Sequence, residues 1–221
     1  MDWHFVGVDL GQAKDFTAIA AVERAEVTGA WDAQTYARRK SVSLRLRYLE
    51  RLALGTPYPE VVERVVGLTR SSELAGHCHL VVDATGVGRP VVDLLRQAGP
   101  GCQMMPATIT GGDAESREGG YYRVPKRDVI VGLQVLLQSG ELKIAGGLRY
   151  GAALVSEMAE MRVKVSGAGR EQYGAWREGT HDDLVFAVGL ACWGVRKIYP
   201  GPLRGDQRWC RASAEQRGRI V

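Results

Sequence analysis

A chain of 221 residues, 45% hydrophobic and 24% charged, carries enough apolar mass to fold around its own core, which excludes disorder over most of its length. The length suits one substantial α/β domain rather than two very small ones. The formal charge of +4 and the pI near 8.9 are too modest to name a partner, so where the charge sits matters more than its sum.

Residues 4–9 (HFVGVD) form an apolar run ending in an acid, and residues 17–23 (TAIAAVE) form another across a tight polar turn, a pattern that predicts a hairpin. From Ser41 to Leu49 the residues alternate. That period places Leu44, Leu46 and Tyr48 on one face and Arg45 and Arg47 on the other, a third antiparallel strand. After Pro57 and Pro59, the spacing of Val61, Val62, Val65, Val66 and Leu68 is helical and leads to a fourth strand, His79 to Asp83. A turn from Ala84 to Arg89 then opens a helix, with Pro90 suited to its first turn and Gly99 to its C-terminal cap. A fifth strand is expected around Cys102 to Met105.

Ala107 to Gly120 is glycine-rich and without periodicity, so it reads as a mobile loop able to meet a substrate. Residues 126–138 read as a helix, Leu142 to Ile144 as a short strand and Leu148 to Met161 as another helix. Arg162 to Val165 and Gln172 to Trp176 read as a hairpin. Thr180 to Lys197 is apolar on almost every side, which predicts a helix buried against the sheet. Residues 1–199 therefore read as one domain, an α/β fold with a mixed sheet, antiparallel in its first three strands and then parallel, flanked by helices. Residues 200–221 read as a basic, flexible tail.

Four cysteines, Cys78, Cys102, Cys192 and Cys210, lie far apart with no CxxC pair, which argues against a zinc site or a secreted disulfide framework and for reduced, mostly buried thiols. The N-terminus lacks a signal-peptide pattern and no apolar run reaches about 18 residues. No membrane partner is expected, and the expected location is the cytoplasm. The positive charge is concentrated in Arg38, Arg39, Lys40, Arg45, Arg47 and Arg51, opposed by Glu50 alone, and in five arginines after Pro200. Such patches fit a polyanion such as DNA, and equally a plain solvated surface.

The acids carry the chemistry. Asp9 ends the first strand, Asp83 ends the fourth, and Asp182 and Asp183 open the last helix. If the first and fourth strands are parallel neighbours, Asp9 and Asp83 emerge side by side at the carboxyl edge of the sheet, where open α/β sheets hold their ligands. Unit charges about 4 Å apart repel by roughly 4 kcal/mol at an effective dielectric near 20, so clustered carboxylates call for a divalent cation. All-oxygen donors suit Mg²⁺ or Mn²⁺, and two such ions can support phosphodiester hydrolysis. Asp183 is the expected metal ligand and Asp182 a second ligand or support, since adjacent helical residues point about 100° apart.

Each acid also has a structural reading. Asp9 and Asp83 could simply form Asx turns, and Thr180 with Asp183 fits a capping box. His181 could relay a proton or merely sit at a helix start. Arg89, with Lys14 and Lys126, could touch phosphate, although exposed basic residues usually serve solubility. Two glycine turns, GVDLGQAKDFT and DATGVGRP, could hold phosphates through backbone N–H groups, but they complete neither GxxxxGK[ST] nor GxGxxG, so an ATP motor or a dinucleotide site is not expected.

GVDLGQAKDFTAIA, VVDATGVGRPVVDLLRQAG and GTHDDLVFAVGLA, in this order, resemble the nuclease domain of tailed-phage large terminase subunits. The likeness runs over roughly residues 4 to 197 and takes in VPKRDVIVGLQVLLQSGELKI. The resemblance implies an RNase H-like fold and a metal-dependent endonuclease that cuts concatemeric viral DNA in the host cytoplasm. Its acidic triad maps onto Asp9, Asp83 and the Asp182–Asp183 pair, with two Mg²⁺ or Mn²⁺ as cofactors. Independently of the resemblance, the charge of Arg45, Arg47, Arg89 and Lys126 makes them the expected contacts to double-stranded DNA. A packaging ATPase, a small terminase subunit and a portal are the protein partners the resemblance implies.

Large terminase subunits usually carry the packaging ATPase ahead of the nuclease, whereas this chain starts almost at the first predicted strand. Three other functions share some of these features. Sugar kinases and actin-like ATPases use similar glycine turns but need two lobes around a nucleotide. Holliday-junction resolvases and transposases share the fold and site. A non-catalytic DNA-binding module would leave the acids unexplained.

Overall fold

The computed structural model describes residues 2–11, 15–34, 36–86, 88–165, 171–174 and 181–201. The chain opens with an antiparallel meander of β1 (Trp3–Asp9), β2 (Ala18–Asp32) and β3 (Ala37–Arg51). Helix α1 (Tyr58–Thr69) leads to β4 (Cys78–Asp83), and α2 (Gly88–Ala98) leads to β5 (Gln103–Thr110). A short hairpin of β6 (Ser116–Glu118) and β7 (Tyr121–Pro125) is followed by α3 (Lys126–Gln138), β8 (Leu142–Ile144) and α4 (Gly151–Glu160). A separate hairpin, β9 (Arg162–Val165) with β10 (Glu171–Gly174), precedes α5 (Asp183–Ile198).

The main sheet has eight strands in the order β6-β7-β5-β4-β1-β2-β3-β8. β1 and β4 are parallel neighbours, with His4 beside Cys78 and Val8 beside Val82, and β5 and β7 continue the parallel half. Both faces are covered, which is why these strands are apolar at nearly every position. One core joins α3, α4 and α5 to Phe5, Val81, Met105, Leu44 and Leu46. The other joins α1 and α2 to Val6, Val8, Leu80 and Val82.

Helix α5 is buried from Asp183 through Val195. It crosses directly over β1, because a Cβ at Gly7 would lie 2.1 Å from the Ala187 carbonyl oxygen. Gly99 adopts φ +65° and donates its N–H to the Leu95 carbonyl, the left-handed cap expected after α2. Among the described residues, Cys78 and Cys192 are buried and Cys102 is half-buried, all as free thiols. No described helix is long and apolar enough to cross a membrane.

Two expectations are corrected. Strict alternation placed Tyr48 with Leu44 and Leu46, but a register shift pairs Ala21 with Tyr48 and Val22 with Leu46, leaving Arg47 as an extra residue. Beyond this bulge Leu49 joins the core of Leu44 and Leu46, while Tyr48 turns to the α1 and α2 side. The segment expected as a mobile loop over residues 107–120 is instead paired at both ends: β5 runs on to Thr110 and β6 spans Ser116–Glu118. Glu115 between them accepts from Trp193 Nε1 at 2.6 Å and Lys197 Nζ at 2.7 Å, tying the segment to α5. The Thr180 half of the expected capping box, Lys14, Cys210 and the tail from residue 202 lie outside the described residues.

Candidate active site

Strand pairing dictates where the acids meet. Asp9 is the last residue of β1, and Asp83 closes β4 one step beyond Val82, the partner of Val8. Both therefore leave the carboxyl edge of the sheet side by side. Because α5 lies across β1, its N-terminus reaches the same edge. The resulting cleft, about 270 Å³, is lined by Asp9, Asp83, Asp182 and Asp183 together with Lys126 and His181. The expected acids are thus brought together, as is Lys126, the first residue of α3.

The electrostatics are those of crowded carboxylates. Burial pushes the Asp9 carboxyl well above its ordinary range, and the charges of Asp83, Asp182 and Asp183 push it further, with Lys126 opposing. Burial also raises Asp83, offset by the Thr85 hydroxyl and N–H. The Thr85 N–H donates to Asp83 Oδ1 at 2.8 Å, so the Asx turn foreseen as a structural role is present alongside the cleft position. Asp182 pairs with Lys126 at 2.9 Å, and Lys126 Nζ also stands 5.3 Å from the Phe186 ring centre.

Asp183 is held differently. The Arg51 guanidinium grips it with two prongs, Nε to Oδ2 at 2.8 Å and Nη2 to Oδ1 at 3.1 Å. Arg51 also pairs with Glu157 of α4, whose other oxygen accepts the N–H groups of Leu184 at 3.1 Å and Val185 at 3.2 Å. Glu157 thereby supplies the N-terminal cap of α5; Asp182, at the N-cap position, makes no side-chain capping bond. Burial raises the Asp183 carboxyl against the opposing effect of Arg51. Glu157 is pushed up to about 7, first by burial and then by Asp183.

Arg51 and Glu157 are the site residues that sequence reasoning missed. Arg51 was counted with the surface basic run, and Glu157 carried no motif. The bulge at Arg47 is the hidden signal, because it turns Leu49 and Arg51 to the α5 side of the sheet. Arg45 and Arg47 do not reach the cleft. They lie six and four residues back along β3 from Arg51, about 20 and 13 Å at strand spacing, and both pair with Glu23. Arg89 does not line the cleft either; its guanidinium lies 5.3 Å from the Tyr121 ring centre.

Among the described residues, no three His, Cys, Asp or Glu side chains form a ready-made metal shell. Arg51 holds Asp183 and Lys126 holds Asp182. The donor chemistry still fits a hard divalent ion: four carboxylates around one cleft, with Asp9 raised by all three of its neighbours.

Fold and cleft together define an RNase H-like α/β protein with an acidic site at the carboxyl edge of its sheet. The family described as the terminase RNaseH-like domain matches residues 72–193, more than half of the chain, and the chain belongs to that family. Solved structures agree in fold. The large terminase nuclease from thermophilic phage G20c is 20% identical, covering 86% of this chain and 81% of its own, with a TM-score of 0.58. The large terminase nuclease domain of Thermus phage P74-26 is 18% identical over 90% of this chain and 81% of its own, with a TM-score of 0.57. The nuclease domain of the large terminase subunit of bacterial virus Sf6 is 14% identical over 86% of each chain, with a TM-score of 0.54. No curated protein sequence matches the chain.

Proposed function

We propose that this chain is a metal-dependent DNA endonuclease that cuts viral DNA during packaging, with Asp9, Asp83 and Asp183 as its catalytic acids and Asp182 as an additional ligand. The observation that carries this reading is the crowding of three carboxylates around that of Asp9 in one cleft, which positive charge relieves. The G20c nuclease has been solved with bound magnesium and the Sf6 domain with manganese, and the same class of ion suits the oxygen donors of this cleft. Asp9, Asp83, Asp182 and Asp183 are the residues that would hold two Mg²⁺ or Mn²⁺ ions, which would supply Lewis acidity and lower the pKa of a bound water.

The chain's own residues do the rest. The fixed edge of β1 and β4 orients Asp9 and Asp83, and the Thr85 N–H holds Asp83 in place. Lys126 offers a cation at the mouth of the cleft that suits a phosphate oxygen. Arg45, Arg47 and Arg89 supply sequence-independent contacts to the DNA backbone farther from the cut. Products with 5′-phosphate and 3′-hydroxyl ends are expected. A packaging ATPase, a small terminase subunit and a portal are the partners this role implies, and host cytoplasm its location.

The test is plasmid cleavage by the purified chain with Mn²⁺, Mg²⁺ or EDTA, beside Asp9→Asn and Asp83→Asn variants shown to be folded. Nicking or linearisation that needs the metal and is lost in both variants is expected. Cleavage that persists in EDTA, or survives both substitutions, would sink the assignment.

A further inference from the structure

Arg51 and Glu157, the partners of Asp183, are not used by the reading above, yet the cluster of three is built into the site from β3, α4 and α5. Asp9 pairs with Ala18, and Ala18 pairs with Arg51, so Arg51 stands level with Asp9 across three neighbouring strands. Its backbone carbonyl accepts the Tyr150 hydroxyl at 3.2 Å, and its guanidinium lies 4.9 Å from the Phe16 ring centre. The His181 ring meets the same Phe16 edge-on at 4.9 Å. The Arg51 side chain is only 16% exposed and the Asp183 side chain 5%. A guanidinium so enclosed and so well bonded is placed, not merely close.

Its fork engages both oxygens of the carboxylate expected to bind metal, while Glu157 takes a further N–H of the same guanidinium. Glu157 is itself fixed by the Leu184 and Val185 amides. We propose that Arg51 is a positioning residue that serves as a built-in counter-ion for Asp183, so that a divalent cation must draw Asp183 out of the Arg51 fork, an inference that rests on the nuclease reading of the cleft. Glu157 keeps the guanidinium within reach and shares its charge. Arg51 thus sets how much metal the site demands: it neutralises Asp183 when no ion is present and competes for it when one arrives.

The two partners then act with opposite sign. Arg51→Gln removes the competing charge, and Mn²⁺ binding to the full chain, measured by isothermal calorimetry, should tighten by about tenfold, or 1.4 kcal/mol. Glu157→Gln removes the carboxylate charge that shares the guanidinium and leaves Asp183 as the sole anion on the fork, so Mn²⁺ binding should weaken severalfold. Arg51→Lys, which keeps the charge but not the two-pronged contact, should fall between the parent and Arg51→Gln. Half-maximal plasmid nicking should move to lower Mn²⁺ in Arg51→Gln, and thermal melts establish that each variant folds. A purely structural pair would loosen metal binding in both Gln variants, so weaker binding in Arg51→Gln overturns this proposal while leaving the nuclease reading standing. No Mn²⁺ uptake by the parent chain overturns the nuclease reading, and this inference with it.

Discussion

Asp9, in its proposed catalytic role, sets function against stability. Its carboxyl is raised by burial and by three neighbouring carboxylates, so ionising it in the metal-free protein costs folding free energy. Asp9→Asn removes that charge at nearly constant shape. Its melting temperature in EDTA at neutral pH is expected to exceed the parent's by a few degrees, and Mn²⁺ is expected to raise the parent's melting temperature but not the variant's. A variant that melts lower than the parent in EDTA would show that the carboxylate crowding is already relieved. Glu157 adds a pH dependence of defined sign. Its folded-state value of about 7 lies above the ordinary 4.5, so the stability it contributes is fully present below about pH 4.5 and lost as pH rises through about 7. Asp9, Asp83 and Asp183 are shifted the same way. Metal-free melts should therefore rise between about pH 8 and about pH 6, and Glu157→Gln should flatten part of that slope.

At the scale of elements, the site depends on how closely α5 can lie on β1. Gly7 permits it, because any Cβ there would meet the Ala187 carbonyl and the Ala191 amide. Gly7→Ala must push the helix outward, and overpacking of this kind typically costs about 1–3 kcal/mol. Chemical denaturation should show that loss, together with weaker metal binding as the α5 N-terminus withdraws from Asp9; a variant of parental stability would mean that α5 is not seated as described. The same helix end shows why capping could not be read locally. Its first amides are satisfied by Glu157, from α4, rather than by a neighbour in sequence.

Across the whole molecule, the parallel strands β1, β4, β5 and β7 present one carboxyl edge, and the acidic cleft opens there. DNA lying on that edge would need backbone contacts beyond the cleft. Arg45 and Arg47 stand farther back on β3 and share Glu23. If they bind phosphates, replacing both with Gln should reduce the slope of log affinity against log salt by about 0.9 for each phosphate no longer neutralised. Fluorescence anisotropy across a salt series measures this, and an unchanged slope would route the DNA over Arg89 and the β6–β7 hairpin instead.

The sequence by itself determined much of this protein. Apolar runs ending in acids fixed β1 and β4, and the apolar stretch of residues 184–195 announced a helix buried on all sides. Asp9, Asp83, Asp182 and Asp183 were legible because each sits at an element end, where local pattern alone says which way the chain emerges. Only the tertiary structure decided what those acids meet. Arg51 reaches Asp183 across 132 positions and Glu157 across 106, and it faces them because one extra residue, Arg47, turns the strand over. A period-2 pattern cannot announce its own bulge, since a one-residue slip exchanges every face beyond it. The counter-ion of the site was therefore set by register and packing.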